Sequence, residues 1–308
     1  MKVSNLHIPF GKVRETPVQP TYTLGGGLPC RDPFILLYGD KYYLYKTSGG
    51  KIVCLVSEDL ENFSQEIVVY APPADFHGIG DLFWAPECHY YKGNFYIFTS
   101  VRSSKTGKHL ISVYRADNPL GPFEDIAGGG ITPYEWDCID GTLYIDKLGE
   151  PYMIFVHEWV SMPDKNGSFV YAKLSEDFTH FVTAPKHMFF ARDVEWARHG
   201  VTDGAYPFVL DSGRLGLIWS NFSENGYVVA TAYSKNGTLN GPWIHAENPL
   251  YERNARPEFT YDGGHGMLFL KKDGKFALAL HSPNDSSVAY ERVTLFEVAE
   301  TENEILLK

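Results

Sequence analysis

The sequence predicts an all-β fold, a five-bladed β-propeller, and three observations carry that prediction. Strong helical periodicity is absent along the 308 residues. Aromatic residues are abundant, with 20 Tyr and 20 Phe, and they favour strands. Above all, one unit recurs five times, and a recurring antiparallel unit of about four strands is the mark of a propeller. Radial closure also protects the sheet edges.

Each unit opens with an acidic or His-containing turn and an apolar first strand. A Gly turn follows, then a Tyr/Phe-rich second strand and a third strand. The first reads Asp32-Pro33-Phe34-Ile35-Leu36-Leu37, turn Gly39-Asp40, Tyr42 to Tyr45, and a third strand from Ile52 to Val56. Pro33 holds Asp32 out of helical geometry and suits the start of a strand. Asp32 is therefore expected at a strand mouth, with a rigid sheet behind it. The second unit reads Trp84-Ala85-Pro86-Glu87, turn Lys92-Gly93, Phe95 to Phe98, then Leu110 to Tyr114. The third reads Ile139-Asp140-Gly141-Thr142, turn Leu148-Gly149, Tyr152 to Val156, then Phe169 to Leu174. The fourth reads Thr202-Asp203-Gly204-Ala205, turn Ser212-Gly213, Leu215 to Trp219, then Tyr227 to Tyr233. The fifth reads Gly264-His265-Gly266, turn Asp273-Gly274, Phe276 to His281, then Val293 to Val298.

These units fill almost the whole chain, so residues 1–308 read as a single propeller domain. The segment 1–30 is a candidate for a ring-closing strand on the last blade, through Ile8, Val13 or Val18. A many-hairpin sandwich is the competing fold. It gives no reason for an acid-led first strand to repeat.

Composition narrows the function. The net charge of −11 argues against nucleic acid, which needs a basic stripe, and against anionic membrane surfaces. No stretch reaches the length of a membrane helix. Residues Met1 to Phe10 hold no apolar run of signal-peptide length, so a cytoplasmic location is expected. Cys30, Cys54, Cys88 and Cys138 lack metal-type spacing and are expected to be free thiols. They show no Cys/His pairing for thiol catalysis. Gly25-Gly26-Gly27 lacks the Lys and following helix of a phosphate loop.

In a propeller the first strand of every blade lines the central channel. The blade-leading residues are Asp32, Glu87, Asp140, Asp203 and His265, so several carboxylates converge on one funnel. That is costly without compensation, and Arg31 adjoins one of them. Paired carboxylates between aromatic walls suit glycoside hydrolysis, with one carboxyl as acid and another as base or nucleophile. Phe83, Trp84 and Trp159 could stack on sugar rings or pack between blades. His281 is as good a packing or supporting residue as a site residue.

The set Asp32-Pro33-Phe34, Trp84-Ala85-Pro86-Glu87, Asp140-Gly141-Thr142 and Gly264-His265-Gly266 resembles glycoside hydrolase family 43. The resemblance runs from about Cys30 to Asn284. It implies a five-bladed propeller that cleaves arabinose- or xylose-containing oligosaccharides with inversion and uses no organic cofactor. It implies that Asp32 is the general base, that Asp140 tunes and orients the acid, and that His265 stands near a divalent ion, often calcium. Calcium prefers oxygen ligands and water, so a lone His is an unusual direct ligand.

The chain departs from the family pattern at the acid. A Glu before Gly-Pro is expected to lead the fourth blade, and Asp203 stands there, one methylene shorter. Glu158, in His157-Glu158-Trp159, and Glu195, in Asp193-Val194-Glu195-Trp196, are the other candidates. The main expectation is an exo-acting α-L-arabinofuranosidase or β-xylosidase. An endo-1,5-α-L-arabinanase is the nearest alternative. A retaining, invertase-like propeller with Glu87 as acid, and a non-catalytic sugar-binding propeller, are more distant ones.

Overall fold

The computed structural model describes residues 1–3, 20–80 and 82–308. The described residues form β-strands with no α-helix, so no helix is long and apolar enough to cross a membrane. Five antiparallel sheets make the five blades. Their innermost strands are Phe34–Tyr38, Trp84–Tyr91, Cys138–Ile145, Asp203–Val209 and Gly264–Leu270. Second strands follow at Lys41–Ser48, Asn94–Arg102, Pro151–His157, Leu215–Ser223 and Phe276–Ser282. Third strands follow at Lys51–Ser57, His109–Ala116, Ser168–Lys173, Gly226–Ser234 and Arg292–Glu300. The sequence repeat thus matches the blades strand for strand.

The aromatic surplus sits between blades. Tyr38 packs on Tyr90 and Phe95 across the first and second blades. Phe178 fills the junction of the second and third against Tyr91, Tyr96 and Phe98. Trp219 meets Phe169 and Phe189 between the third and fourth. Tyr42 meets Phe269 where the last blade reaches the first. Each such ring buries a large apolar area against its neighbour, mostly edge-on or tilted and, for Tyr91 and Phe178, stacked.

The fifth blade takes all four of its strands from the chain's last third, ending in Ile305–Leu307. Beside it, the Leu28 carbonyl accepts from Val293, and the Cys30 amide donates to the Glu291 carbonyl. Pro20–Thr23 pairs instead with Asn62–Ser64, on the outer side of the first blade. Lys2–Val3 pairs with Phe208 and Val209 on the innermost strand of the fourth. Ile8, Val13 and Val18 lie outside the described residues. All four cysteines are free and buried.

One local conformation recurs at the head of every innermost strand. Asp32, Ala85, Asp140, Gly204 and His265 all have left-handed backbones, with φ between 43 and 60°. In blades two to five the pairing register slips at this point, between Trp84 and Glu87, Ile139 and Thr142, Asp203 and Tyr206, and Gly264 and Met267. These slips are β-bulges, which re-aim a side chain. The blades therefore align as Asp32, Ala85, Asp140, Gly204 and His265. Glu87 comes two residues after the bulge head, and Asp203 one residue before it. This corrects the sequence alignment, which followed the charges: Glu87 does not lead its blade.

Gly204 needs its lack of a side chain. A Cβ there would lie 2.9 to 3.1 Å from His265 atoms, on a backbone at φ +60°. Gly204→Ala should cost about 2 kcal/mol or more from the left-handed penalty and the clash. The reverse exchange at the equivalent bulge, Ala85→Gly, should be close to neutral, because glycine relieves the strained φ. Urea unfolding of both variants checks this contrast.

Candidate active site

The bulges turn their side chains into one cavity of about 840 Å³ at the head of the inner strands. Arg31, Asp32, Asp140, Asp203, His265 and Glu158 all line it. The amide at a bulge head cannot join the inner ladder, and the preceding blade supplies its partner. The Asp32 amide donates to His281 Nδ1 at 3.3 Å. The Asp140 amide donates to Ser100 Oγ at 3.0 Å, and the His265 amide to Ser220 Oγ at 2.8 Å. The third blade carries apolar Val156 opposite Ile139, where the second and fourth have Ser100 and Ser220. The Gly204 amide donates instead to Asp140 Oδ2, at 2.8 Å. Asp140 is thereby fixed against the strand that carries Asp203.

Asp32 is surrounded by basic side chains. Its Oδ1 lies 3.2 Å from His265 Nδ1 and 3.1 Å from His281 Nδ1. Its Oδ2 lies 3.7 Å from Arg31 Nε, and Arg31 is itself held by Glu291 at 2.5 Å. Burial raises the Asp32 pKa, but His265, His281 and Arg31 outweigh it and hold the carboxyl well below its ordinary range.

The other carboxyls lie on the opposite side of that balance. Burial, then the charge of Asp32, pushes Asp140 up to about 8, against the Gly204 hydrogen bond. Burial, then Asp140, pushes Asp203 up to about 7, against the hydrogen bond from Tyr227. That bond runs from Tyr227 Oη to Asp203 Oδ2 at 2.9 Å. Burial, then Asp203, Asp137 and Asp140, pushes Glu158 to about 7. One ionised carboxylate thus shares a cavity with carboxyls that hold protons near neutrality, the division of labour that acid–base hydrolysis requires.

The remaining sequence candidates divide. Trp84 and Trp159 line the cavity and are 39% and 38% exposed. Trp84 stacks on His109 at 4.1 Å. Phe83 lines the wall but is buried against Tyr70 and Phe76, so it shapes the site from behind. Glu87 does not line the cavity. It is buried, with its Oε2 2.9 Å from His89 Nε2 on the same strand. Glu195 is exposed and also outside the cavity. Tyr227 escaped the sequence reading, since nothing marks a Tyr at the start of a third strand.

Two places bear on metal binding. His265 turns Nδ1 toward Asp32 and Asp140, at 3.2 and 3.7 Å. A His held this way through one nitrogen is oriented to offer the other to an ion, so the donor set fits a largely water-clad cation. Separately, His109, Asp137 and Glu158 bring ligand atoms within 4.8 Å of one another, among the described residues.

Residues 28–303 match the model for glycosyl hydrolases family 43. The chain belongs to that family. It is 25% identical over 259 residues to an α-L-arabinofuranosidase of Humicola insolens, covering 79% of this chain and 52% of that protein. It is 28% identical over 168 residues to an extracellular exo-α-(1→5)-L-arabinofuranosidase of Cellvibrio japonicus, covering 48% of this chain and 44% of that one. The chain thus spans about half the length of these curated relatives. The crystal structure of an endo-arabinase from Bacteroides thetaiotaomicron superposes with a TM-score of 0.83 at 31% identity, over 92% of this chain and 98% of that one.

The raised carboxyls carry a stability signature. From the ordinary value of 3.8 up to about 8 for Asp140 and about 7 for Asp203, these carboxyls hold protons that the unfolded chain has released. Folding stability therefore falls as pH rises across that window. Asp140→Asn keeps an acceptor for the Gly204 amide and removes one titrating group. Its melting temperature should decline less between pH 5 and 8 than the wild type's, and should exceed it at pH 8.

Proposed function

We propose that the protein is an inverting glycosidase acting on arabinofuranosides, with xylosides as the related substrate class. The observation that carries this reading is the convergence of Asp32, Asp140, Asp203 and His265 on one cavity. Asp32, ionised across the working pH range, deprotonates the attacking water. Asp203, protonated near neutrality, donates to the glycosidic oxygen as the bond breaks. Asp140 stays close to both. Two carboxyls so close cannot both ionise cheaply, which helps keep Asp203 protonated, and the bond from the Gly204 amide to Asp140 fixes the backbone beside the acid. Trp84 and Trp159 supply sugar-facing surfaces at the rim.

Asp203 is preferred to Glu158 as acid for a geometric reason. It precedes the left-handed Gly204 at a bulge, on a strand locked to the tuning residue. Glu158 leaves the end of a second strand and faces Asp137 and His109. Asp32→Asn should lower turnover by about 10²–10⁴. Asp203→Asn should lose far more on a natural oligosaccharide than on an aryl glycoside with an activated leaving group. If Glu158→Gln shows that split instead, the acid belongs to the third blade. NMR of the first-released anomer on aryl arabinofuranosides and xylosides tests inversion and substrate class together.

A second reading, endo cleavage of arabinan, is favoured by the Bacteroides endo-arabinase, which matches over 98% of its length. Product sizes on linear arabinan separate the two. Monomer from the outset supports exo action, and a ladder of oligomers supports endo.

A divalent ion, calcium by preference, is part of the proposal. Held by His265 Nε2 and water, it would add positive charge that stabilises the carboxylate cluster. Chelation should lower the melting temperature and calcium should restore it, the bound ion contributing on the order of 2–3 kcal/mol of stability at a hundredfold excess over Kd. His265→Ala should abolish the response. An unchanged wild type under chelation removes the ion.

A further inference from the structure

Tyr227 stands between the two halves of the catalytic apparatus. It opens the third strand of the fourth blade, Gly226–Ser234. Its hydroxyl donates to Asp203 Oδ2 at 2.9 Å. Its ring stacks on His281, with centroids 5.6 Å apart and planes at 24°. His281 in turn touches Asp32 through both its amide and its carboxylate. One fully buried ring therefore contacts the acid directly and the base through a single intermediary.

The surrounding chain is cut to fit that ring. A Cβ at Gly264 would lie 2.2 Å from Tyr227 Cε1, so only glycine admits the ring there. The Tyr227 amide donates to Asp262 Oδ2, and its carbonyl accepts from Gly263. Both backbone groups are thus tied to the approach to the fifth blade. The His281 ring is held from its far side by Asn284 Oδ1, 3.2 Å from Nε2.

We propose that Tyr227 is a positioning residue that fits a shortened acid to this site. An Asp acid reaches less far than a Glu and has fewer torsions with which to find the glycosidic oxygen. Bonding Oδ2 to Tyr227 leaves Oδ1 as the oxygen that carries the proton and turns it to the cavity. Stacking on His281 ties the acid's position to the base's. This proposal rests on the reading of Asp203 as the acid. Its other charged neighbours are Asp32, Asp140, Glu158, His265 and, on the tyrosine side, Arg31 and Asp262.

Tyr227→Phe keeps the ring on His281 and removes only the hydroxyl. Turnover on an arabino-oligosaccharide should fall about 10- to 100-fold, with KM unchanged and a much smaller loss on an activated aryl arabinofuranoside. The hydroxyl stabilises ionised Asp203, so its loss should move the alkaline limb of the pH profile upward. Adding Asp203→Glu to Tyr227→Phe should recover part of the oligosaccharide activity. Equal losses on both substrates, or an unmoved alkaline limb, overturn the proposal. If Asp203→Asn shows the leaving-group split while Tyr227→Phe does not, only the tyrosine's role fails. If Asp203→Asn lacks the split, the assignment of the acid fails. Should the Tyr227→Phe variant fold poorly, isotope-edited infrared spectra of wild-type Asp203 decide. A carboxyl band shifted by a phenolic hydrogen bond supports the proposal, and a free carboxyl band overturns it.

Discussion

The structure depends on how the bulge heads are satisfied. A left-handed residue at a strand mouth lifts its amide out of the ladder, and a buried amide without a partner is costly. Four of the five heads meet that demand by reaching to the preceding blade: His281 for Asp32, Ser100 for Asp140, Asp140 for Gly204 and Ser220 for His265. The same bonds hold neighbouring blades in register around the axis. Two of the partners, His281 and Asp140, also belong to the cluster of ionisable groups around Asp32 and His265. Fold closure and site geometry are therefore set by one series of contacts. A change at a bulge head should be felt in both.

That coupling explains how four ionisable groups can share one buried space. Desolvation alone would neutralise all three aspartates. The basic side chains are not distributed evenly: Arg31, His265 and His281 all gather on Asp32. Asp140 and Asp203 receive neutral donors, a backbone amide and a phenol. Neutral hydrogen bonds temper the effect of burial without reversing it, whereas the three basic side chains around Asp32 outweigh it. The split between base and acid follows from which blades contribute the basic residues, the first and the fifth.

Much of this was legible in the sequence. The blade count, the inner strands and the positions of Asp32, Asp140 and His265 came from a repeat of strand and turn signals, which are local and period-bound. The second blade misled because charge was used as the marker. The bulge head there is Ala85, which carries no chemistry, and Glu87 two residues on pairs with His89 of the same strand. Backbone conformation defines the equivalence, and a left-handed alanine leaves no trace in composition. Tyr227 and Ser100 were illegible for another reason. Their roles come from contacts between residues 24 and 40 positions apart in the chain, within the fourth blade for Tyr227 and Asp203 and across blades for Ser100 and Asp140. The outer strand Pro20–Thr23 is similar, since its partner is fixed by the whole sheet.

The fourth blade shows how a departure at a catalytic position can be absorbed. Its bulge head is glycine, and Asp203, the proposed acid, stands one residue earlier, opposite Ser220. Glycine is forced there by the closeness of the fifth blade's His265. Blades four and five therefore pack more tightly at the funnel than a side chain at 204 would permit. The same closeness recurs one strand out, where Gly264 makes room for the Tyr227 ring. A compact junction of this kind brings backbone and aromatic surface toward the axis. It reduces the distance that a side chain must span, and a carboxyl one methylene shorter then becomes compatible with the site. On this argument the shortened acid and the two glycines, 204 and 264, form one structural unit. Lengthening the acid alone, against an unchanged Tyr227, should crowd the cavity more than it extends the reach.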